Sequence, residues 1–480
     1  MALSEKLSIV LFCGLLAVGI SGCGGGNGDP PKSPTDPVSP TDPGASISQV
    51  SGVLYAPNGS TPIPYATVFI PETTATASIG VIQPAAVSLG EKICSEPSEP
   101  FFSWTCTDAG GQFTLDLPSG TVTGDKITLK SFKDAWSGTL QITWRPDLLV
   151  SKSWNTPPRI AVVTGPFDSI ETLLARFGLG EVTTNPEVCF PGFDDDDFDF
   201  GDEDSDWFNI FTAAHQNHGH RRTRPERHSS SQDISAQFFE GDFGYACLQP
   251  GTERFALYEG DIWGSLPDSY PSHEKLFEVR DDGSVRIDDY DIVYVNCGAD
   301  TPRAANWDSH VREYVNKGGR LYATDLSSPF VTIPFAHVER VQNFSGNEVF
   351  ELGGLVKRPA LADWLKRVDC EALAGGSCIN ANNEIRLFDF ADGWHLLQAT
   401  NSPSGDMVET IVEADVSPAD SRISPSKRPV TLRFTYGQGI VIFTSYHTVS
   451  LFSGGEGFGD ATGYLPQERI LEFFFHSPKN

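Results

Sequence analysis

Three side chains able to do nucleophilic chemistry each close an apolar run. Cys297 follows Tyr290-Asp291-Ile292-Val293-Tyr294-Val295-Asn296, Asp325 follows Arg320-Leu321-Tyr322-Ala323-Thr324, and His447 follows Ile440–Tyr446. A thiol, an imidazole and a carboxylate are the set a cysteine-dependent hydrolase uses: the imidazole takes the thiol proton and the carboxylate orients the ring. Residues so far apart make a site only if the fold brings them together. The plainer expectation is a buried structural thiol, a carboxylate capping the next turn and a histidine bonded to backbone.

A second group is compositional. Asp194, Asp195, Asp196, Asp197 and Asp199 belong to a run of nine acidic residues between Asp194 and Asp206. Clustered carboxylates suit Ca²⁺, although no glutamate stands where the twelfth position of an EF-hand loop requires one. His215, His218 and His220 follow and could ligate Zn²⁺ or Cu²⁺, but without a regular secondary-structure spacing. A solvated loop, its acids balanced by Arg221, Arg222, Arg224 and Arg227, is the simpler expectation. Trp104, Trp136 and Trp144 could stack on sugars, yet tryptophan in a small sandwich more often fills the core.

Elements to position these residues are legible in the periodicity. Alternating apolar residues in Val50–Tyr55, Ala66–Ile70, Gln112–Leu117, Lys126–Phe132 and Thr139–Trp144, separated by turn clusters, predict a small antiparallel β-sandwich of about seven strands over 47–148. From Pro158 the rhythm becomes strand and helix. Arg159–Gly165 reads as a buried strand leading to a helix near Asp168, with Asp168 and Glu171 at capping-box spacing. Asp291–Gly298 is a second strand, about Asp308 to Lys317 a helix ended by Gly318-Gly319, and Arg320–Asp325 a third strand. Thr431–Tyr436 and Ile440–Ser445 form a hairpin, and a last helix starts at Pro466. This rhythm predicts an α/β unit with a mostly parallel sheet over 155–480, interrupted by the acidic, His-rich insertion at about 189–247.

Two resemblances follow from these residues. Ser51-Gly52-Val53-Leu54, Pro64-Tyr65-Ala66-Thr67-Val68 and Thr107-Asp108-Ala109-Gly110-Gly111-Gln112-Phe113 make the first hundred residues resemble the carboxypeptidase regulatory-like domain. That implies a transthyretin-like sandwich within a carbohydrate-binding-like fold group. In the turn, Asp108 would close on the backbone, Gly111 take positive φ, and Phe113 enter the core. The Tyr314–Leu321 run and Gly437-x-Gly439-x-Val441-x-x-x-Ser445-Tyr446-His447 make the later part resemble the class I glutamine amidotransferase-like fold, which implies a flavodoxin-like α/β domain. In catalytic members of that family a cysteine occupies the sharp turn after the strand matching Arg320–Asp325. Here the turn reads Thr324-Asp325-Leu326-Ser327, so glutamine hydrolysis is not expected.

The bulk properties set the location. A short apolar run after Lys6 ends in Ile20-Ser21-Gly22-Cys23, which resembles a bacterial lipobox: residues 1–22 would be a signal peptide and Cys23 would carry lipid. Residues 24–46, of Gly, Pro, Ser, Thr and Asp, then form a disordered tether from Cys23. Gly24 rather than Asp after the cysteine points to the outer membrane, on its periplasmic or cell-surface face. A formal charge of −29, from 63 acidic and 34 basic residues, argues against nucleic-acid partners. In an oxidising compartment the cysteines should pair as Cys94 with Cys106, Cys189 with Cys247, and Cys370 with Cys378, leaving Cys297 over. The expected protein is a lipid-anchored envelope component that binds or scaffolds an unknown protein or glycan without catalysis or cofactor. The alternatives are a cysteine-dependent, amidase-like hydrolase and a metal- or carbohydrate-binding surface protein.

Overall fold

The computed structural model describes residues 48–72, 94–133 apart from 109, 136–185 apart from 154, 188, 247–260, 270–341, 346, 349–370, 377–399 apart from 391 and 392, 407–416, 426–448 and 464–476. Cys23, the tether, Cys189 and the acidic, His-rich insertion lie outside these residues. No helix among the described residues is long and apolar enough to cross a membrane.

Eight strands make the N-terminal part: β1 (Gln49–Tyr55), β2 (Thr67–Pro71), β3 (Phe101–Cys106), β4 (Gln112–Asp116), β5 (Lys126–Lys133), β6 (Trp136–Thr143), β7 (Leu149–Ser153) and β8 (Asn155–Thr156). They form two sheets, in the orders β4-β1-β7 and β3-β2-β5-β6-β8. Burial alternates residue by residue along β1, β4 and β5, as a strand with one face on a core requires. The expected turn forms as read: Asp108 Oδ1 accepts from the N–H of Gly110 at 2.9 Å and of Gln112 at 2.8 Å, Gly111 has φ of 72°, and Phe113 is buried. One expectation needs correction. The part is not purely antiparallel, because β1 pairs with β7 in parallel register, Ser51 opposite Leu149. Disulfides join Cys94 to Cys106 and Cys370 to Cys378. Cys247 is also disulfide-bonded, and its expected partner Cys189 is among the residues not described.

The rest of the chain adds β9 (Ile160–Val163), β10 (Val182–Thr183), β11 (Cys247–Leu248), β12 (Ala256–Tyr258), β13 (Ile292–Val295), β14 (Arg320–Thr324), β15 (Val338–Arg340), β16 (Val349–Val356), β17 (Glu384–Phe390), β18 (Leu397–Ala399), β19 (Val408–Val416), β20 (Ser426–Tyr436) and β21 (Gly439–Thr444). Its main sheet has nine strands in the order β12-β9-β13-β14-β21-β20-β19-β16-β17. The first five are mutually parallel, and from β21 onward each neighbour is antiparallel. Among the described residues the α-helices are few and short: α1 (Ile170–Leu174), α2 (Trp307–Asn316), α3 (Pro329–Thr332), α4 (Pro359–Leu365) and α5 (Pro466–His476). The protein is therefore multi-sheet and mostly β, and the expected flavodoxin-like α/β domain is not supported. The strand–helix rhythm holds around β13, α2 and β14, and β20 matches the expected Thr431–Tyr436 strand, but β16, β17 and β19 between α3 and β20 were not expected. Those three strands and β20 make up the antiparallel half.

Both faces of the main sheet are covered along β9, β13, β14 and β21, which explains the continuous apolar runs of these strands. Alternate residues of β9, β13, β14 and β21 enter two cores. Ala161, Val163, Val293, Val295, Leu321, Ala323, Val441 and Phe443 pack with Trp307, Val311 and Val315 of α2. Ile160, Val162, Ile292, Tyr294, Tyr322, Ile440 and Ile442 belong to the core that also takes in α1, α5 and the N-terminal strands. The junction is aromatic: Trp136 meets Phe475 edge to face at 5.6 Å, and Tyr65 meets Trp364 at 5.3 Å. Residues 47–480 form one compact unit. Trp136 and Trp144 are buried in that core, so neither offers the sugar platform considered above.

Candidate functional site

The carboxyl ends of β13, β14 and β21 bring Cys297, Asp325 and His447 together. Sγ of Cys297 lies 3.7 Å from Oδ2 of Asp325, and Nε2 of His447 lies 3.6 Å from the same oxygen. The three donor atoms all fall within 4.8 Å of one another. Each residue is at most 1 % exposed. Adjacent parallel strands end at the same edge of a sheet, so residues that follow them converge there whatever their separation in sequence.

Local backbone aims the carboxylate. Asp325 has φ of 40°, a left-handed conformation that costs a side-chain-bearing residue of order 1–3 kcal/mol and persists only where surroundings impose it. The imposing contacts are present. Oδ1 of Asp325 accepts the backbone N–H of His395 at 2.7 Å, while the Ser327 hydroxyl donates to the Asn296 carbonyl. His395 is held in turn through Nδ1 against the Ser328 hydroxyl at 2.8 Å. The turns after β9 and β13 approach so closely that a Cβ at Gly165 would lie 2.3 Å from the Cys297 carbonyl oxygen; only glycine fits.

Charge and burial decide the protonation state. Burial, and then the negative charge of Asp325, push the Cys297 thiol up to about 12 against the opposing influence of His447. The thiol is therefore a neutral donor near pH 7, not a thiolate. Asp325 occupies the sharp turn after β14.

Sequence reasoning missed the residues behind this cluster. Asp168 does not cap α1, whose N-cap is Ser169. Instead its Oδ2 accepts the N–H of Thr448 at 3.0 Å, tying the turn after β9 to the residue following His447. Glu171 closes no capping box; its Oε2 accepts from the Asn296 amide at 2.8 Å, and the same amide donates to the Asp168 carbonyl at 2.8 Å. Asn296 and Asp168 flank strands already recognised, so a polar residue inside an apolar strand end was an available signal. His395 comes from a segment with no periodicity, and nothing in the sequence marks it. The described surface concavity is lined by Glu278, Arg280, Asp282 and Arg286, none of which belongs to the cluster.

No family model matches the chain, and no curated protein matches it. Among solved structures it is similar to a β-galactosidase from Bacillus circulans sp. alkalophilus, at 13 % identity over 33 % of this chain and 20 % of that one, with a TM-score of 0.20. It is also similar to a glutamine amidotransferase from Thermotoga maritima, at 10 % identity over 40 % and 64 %, with a TM-score of 0.23. A ThuA-like protein from Bacteroides uniformis shows 12 % identity over 40 % and 71 %, with a TM-score of 0.24. The chain spans a fifth of the galactosidase and just under two thirds of the amidotransferase. Overlaps this slight carry no weight for activity.

Proposed function

We propose that the protein is a lipid-anchored component of the cell envelope, attached to the outer membrane through Cys23, which binds or scaffolds a protein or glycan ligand without catalysis. One observation carries the non-catalytic part: the sharp turn after β14 bears the carboxylate of Asp325, with Oδ1 taken by the His395 N–H, instead of a thiol. The anchoring part rests on the Ile20–Cys23 sequence and the Pro- and Gly-rich run behind it. A transthyretin-like first part and an amidotransferase-like second part are the family readings consistent with the Asp108 turn and with the five parallel strands. Ca²⁺ at Asp194–Asp199 is a separate proposal, tested by elemental analysis after dialysis.

A cysteine-dependent hydrolase is the second reading, favoured by the convergence of Cys297, Asp325 and His447. Accessibility separates the two. Native protein, purified without reductant and dialysed against a chelator, is treated with iodoacetamide and read by peptide mass. Cys297 should stay unlabelled until the protein is unfolded in urea. Rapid labelling of the native chain would reveal an open, reactive thiol and hand the lead to the hydrolase.

A further inference from the structure

We propose that Cys297, Asp325 and His447 form a binding site for a single divalent transition metal ion of the Zn²⁺ class. The inference stands apart from the question of catalysis, since such an ion is compatible with a binding protein or an enzyme.

The geometry points there first. A tetrahedral ion with bonds of about 2.3 Å to sulfur and about 2.0–2.2 Å to nitrogen and oxygen holds its donors along edges of about 3.3–3.6 Å. The observed separations are 3.7 Å from Sγ to Oδ2 and 3.6 Å from Nε2 to Oδ2. The third edge closes within 4.8 Å. Small side-chain shifts therefore suffice to enclose an ion.

The donor set points the same way. Thiolate sulfur and imidazole nitrogen with one carboxylate oxygen suit zinc and its neighbours, whereas Ca²⁺ and Mg²⁺ require an all-oxygen shell. An outer contact of the expected kind is present: the Asp325 oxygen facing away from the cluster is fixed by the His395 N–H, and His395 by Ser328. A metal also accounts for the placement. Burying a carboxylate, a thiol and an imidazole side by side is costly, and a dication held by all three offsets that cost. Coordination replaces the thiol proton: the S–H bond breaks, the S–metal bond forms, and the proton leaves to solvent.

The test uses the full chain, stripped with chelator and titrated with Co²⁺. One equivalent should bind with the visible band of a tetrahedral centre and a thiolate-to-cobalt charge-transfer band, both abolished by one equivalent of Zn²⁺. Cys297→Ser should lose the charge-transfer band, and His447→Gln should bind at least tenfold more weakly, each with unchanged far-ultraviolet circular dichroism. X-ray absorption of the zinc-loaded wild type decides the matter should either variant misfold: one sulfur with nitrogen and oxygen neighbours is expected. A sulfur-free shell, a charge-transfer band that persists in Cys297→Ser, or no cobalt bound by the wild type would each overturn the proposal. A sulfur-free shell would assign any bound metal to other donors, such as the His215–His220 segment, and a persistent charge-transfer band would assign it to a different thiolate.

Discussion

Burial raises the carboxyl of Glu171 to about 7, with the charges of Asp168 and Glu259 adding to the effect and the Asn296 hydrogen bond opposing it. Between the ordinary carboxylate value of 4.5 and that raised value, the folded chain holds a proton that the unfolded chain has lost. Stability contributed by this group is therefore lost as pH rises through that window and stays lost above it. Glu171→Gln keeps an acceptor for Asn296 and cannot ionise. It should be more stable than the wild type at pH 8 by roughly 1–3 kcal/mol, with the gain gone below pH 4.5, as urea midpoints at the two pH values would show. A gain that persists in acid would mean that the effect is not ionisation. At this scale the sequence was partly readable. Cys297, Asp325 and His447 each follow an apolar run, so strand ends located them; Glu171 and His395 act through a hydrogen-bond web that no local pattern encodes.

Among the elements, α5 has the largest consequences. Its Phe475 and His476 meet Trp136 of β6 and Phe177 beyond α1, so one helix seals the N-terminal strands to the main sheet. Burial, with Lys133 adding to it, holds His476 well below its usual 6.5. The unfolded chain takes up a proton below that value and the folded chain does not, so stability should fall as pH drops from 7 to 5. His476→Leu should flatten this dependence in thermal melts; identical slopes in both proteins would exclude His476 as the cause. The elements themselves were read well where one periodicity governs. α2 was expected from Asp308 to Lys317 and runs over Trp307–Asn316, and the hairpin around Gly437-Gln438-Gly439 forms as β20 and β21. β16 and β17 escaped notice because Gly353 and Gly354 interrupt the first, and the alternation of the second breaks at Leu387-Phe388. Their pairing is a long-range choice that a local window does not register.

For the molecule as a whole, the shared core matters more than the count of domains. Trp136, Tyr65 and Ala56 are buried in one cluster with Phe475, Trp364 and Leu174. Cutting the chain after Thr156 would expose that aromatic junction to water, at about 25 cal/mol per Å² of apolar surface. The fragment 47–156 should aggregate or melt well below the full chain; a monomeric fragment with an unchanged melting temperature would show that the strands are self-sufficient. The placement of β1 has a mechanical consequence. It lies between β4 and β7, with five residue pairs to each, and it is the first strand after the Pro- and Gly-rich run. Tension arriving along that run would load both ladders lengthwise, so they must slide together instead of opening one bond at a time. A chain held by its leading strand in this way resists a pull on that strand by shear strength.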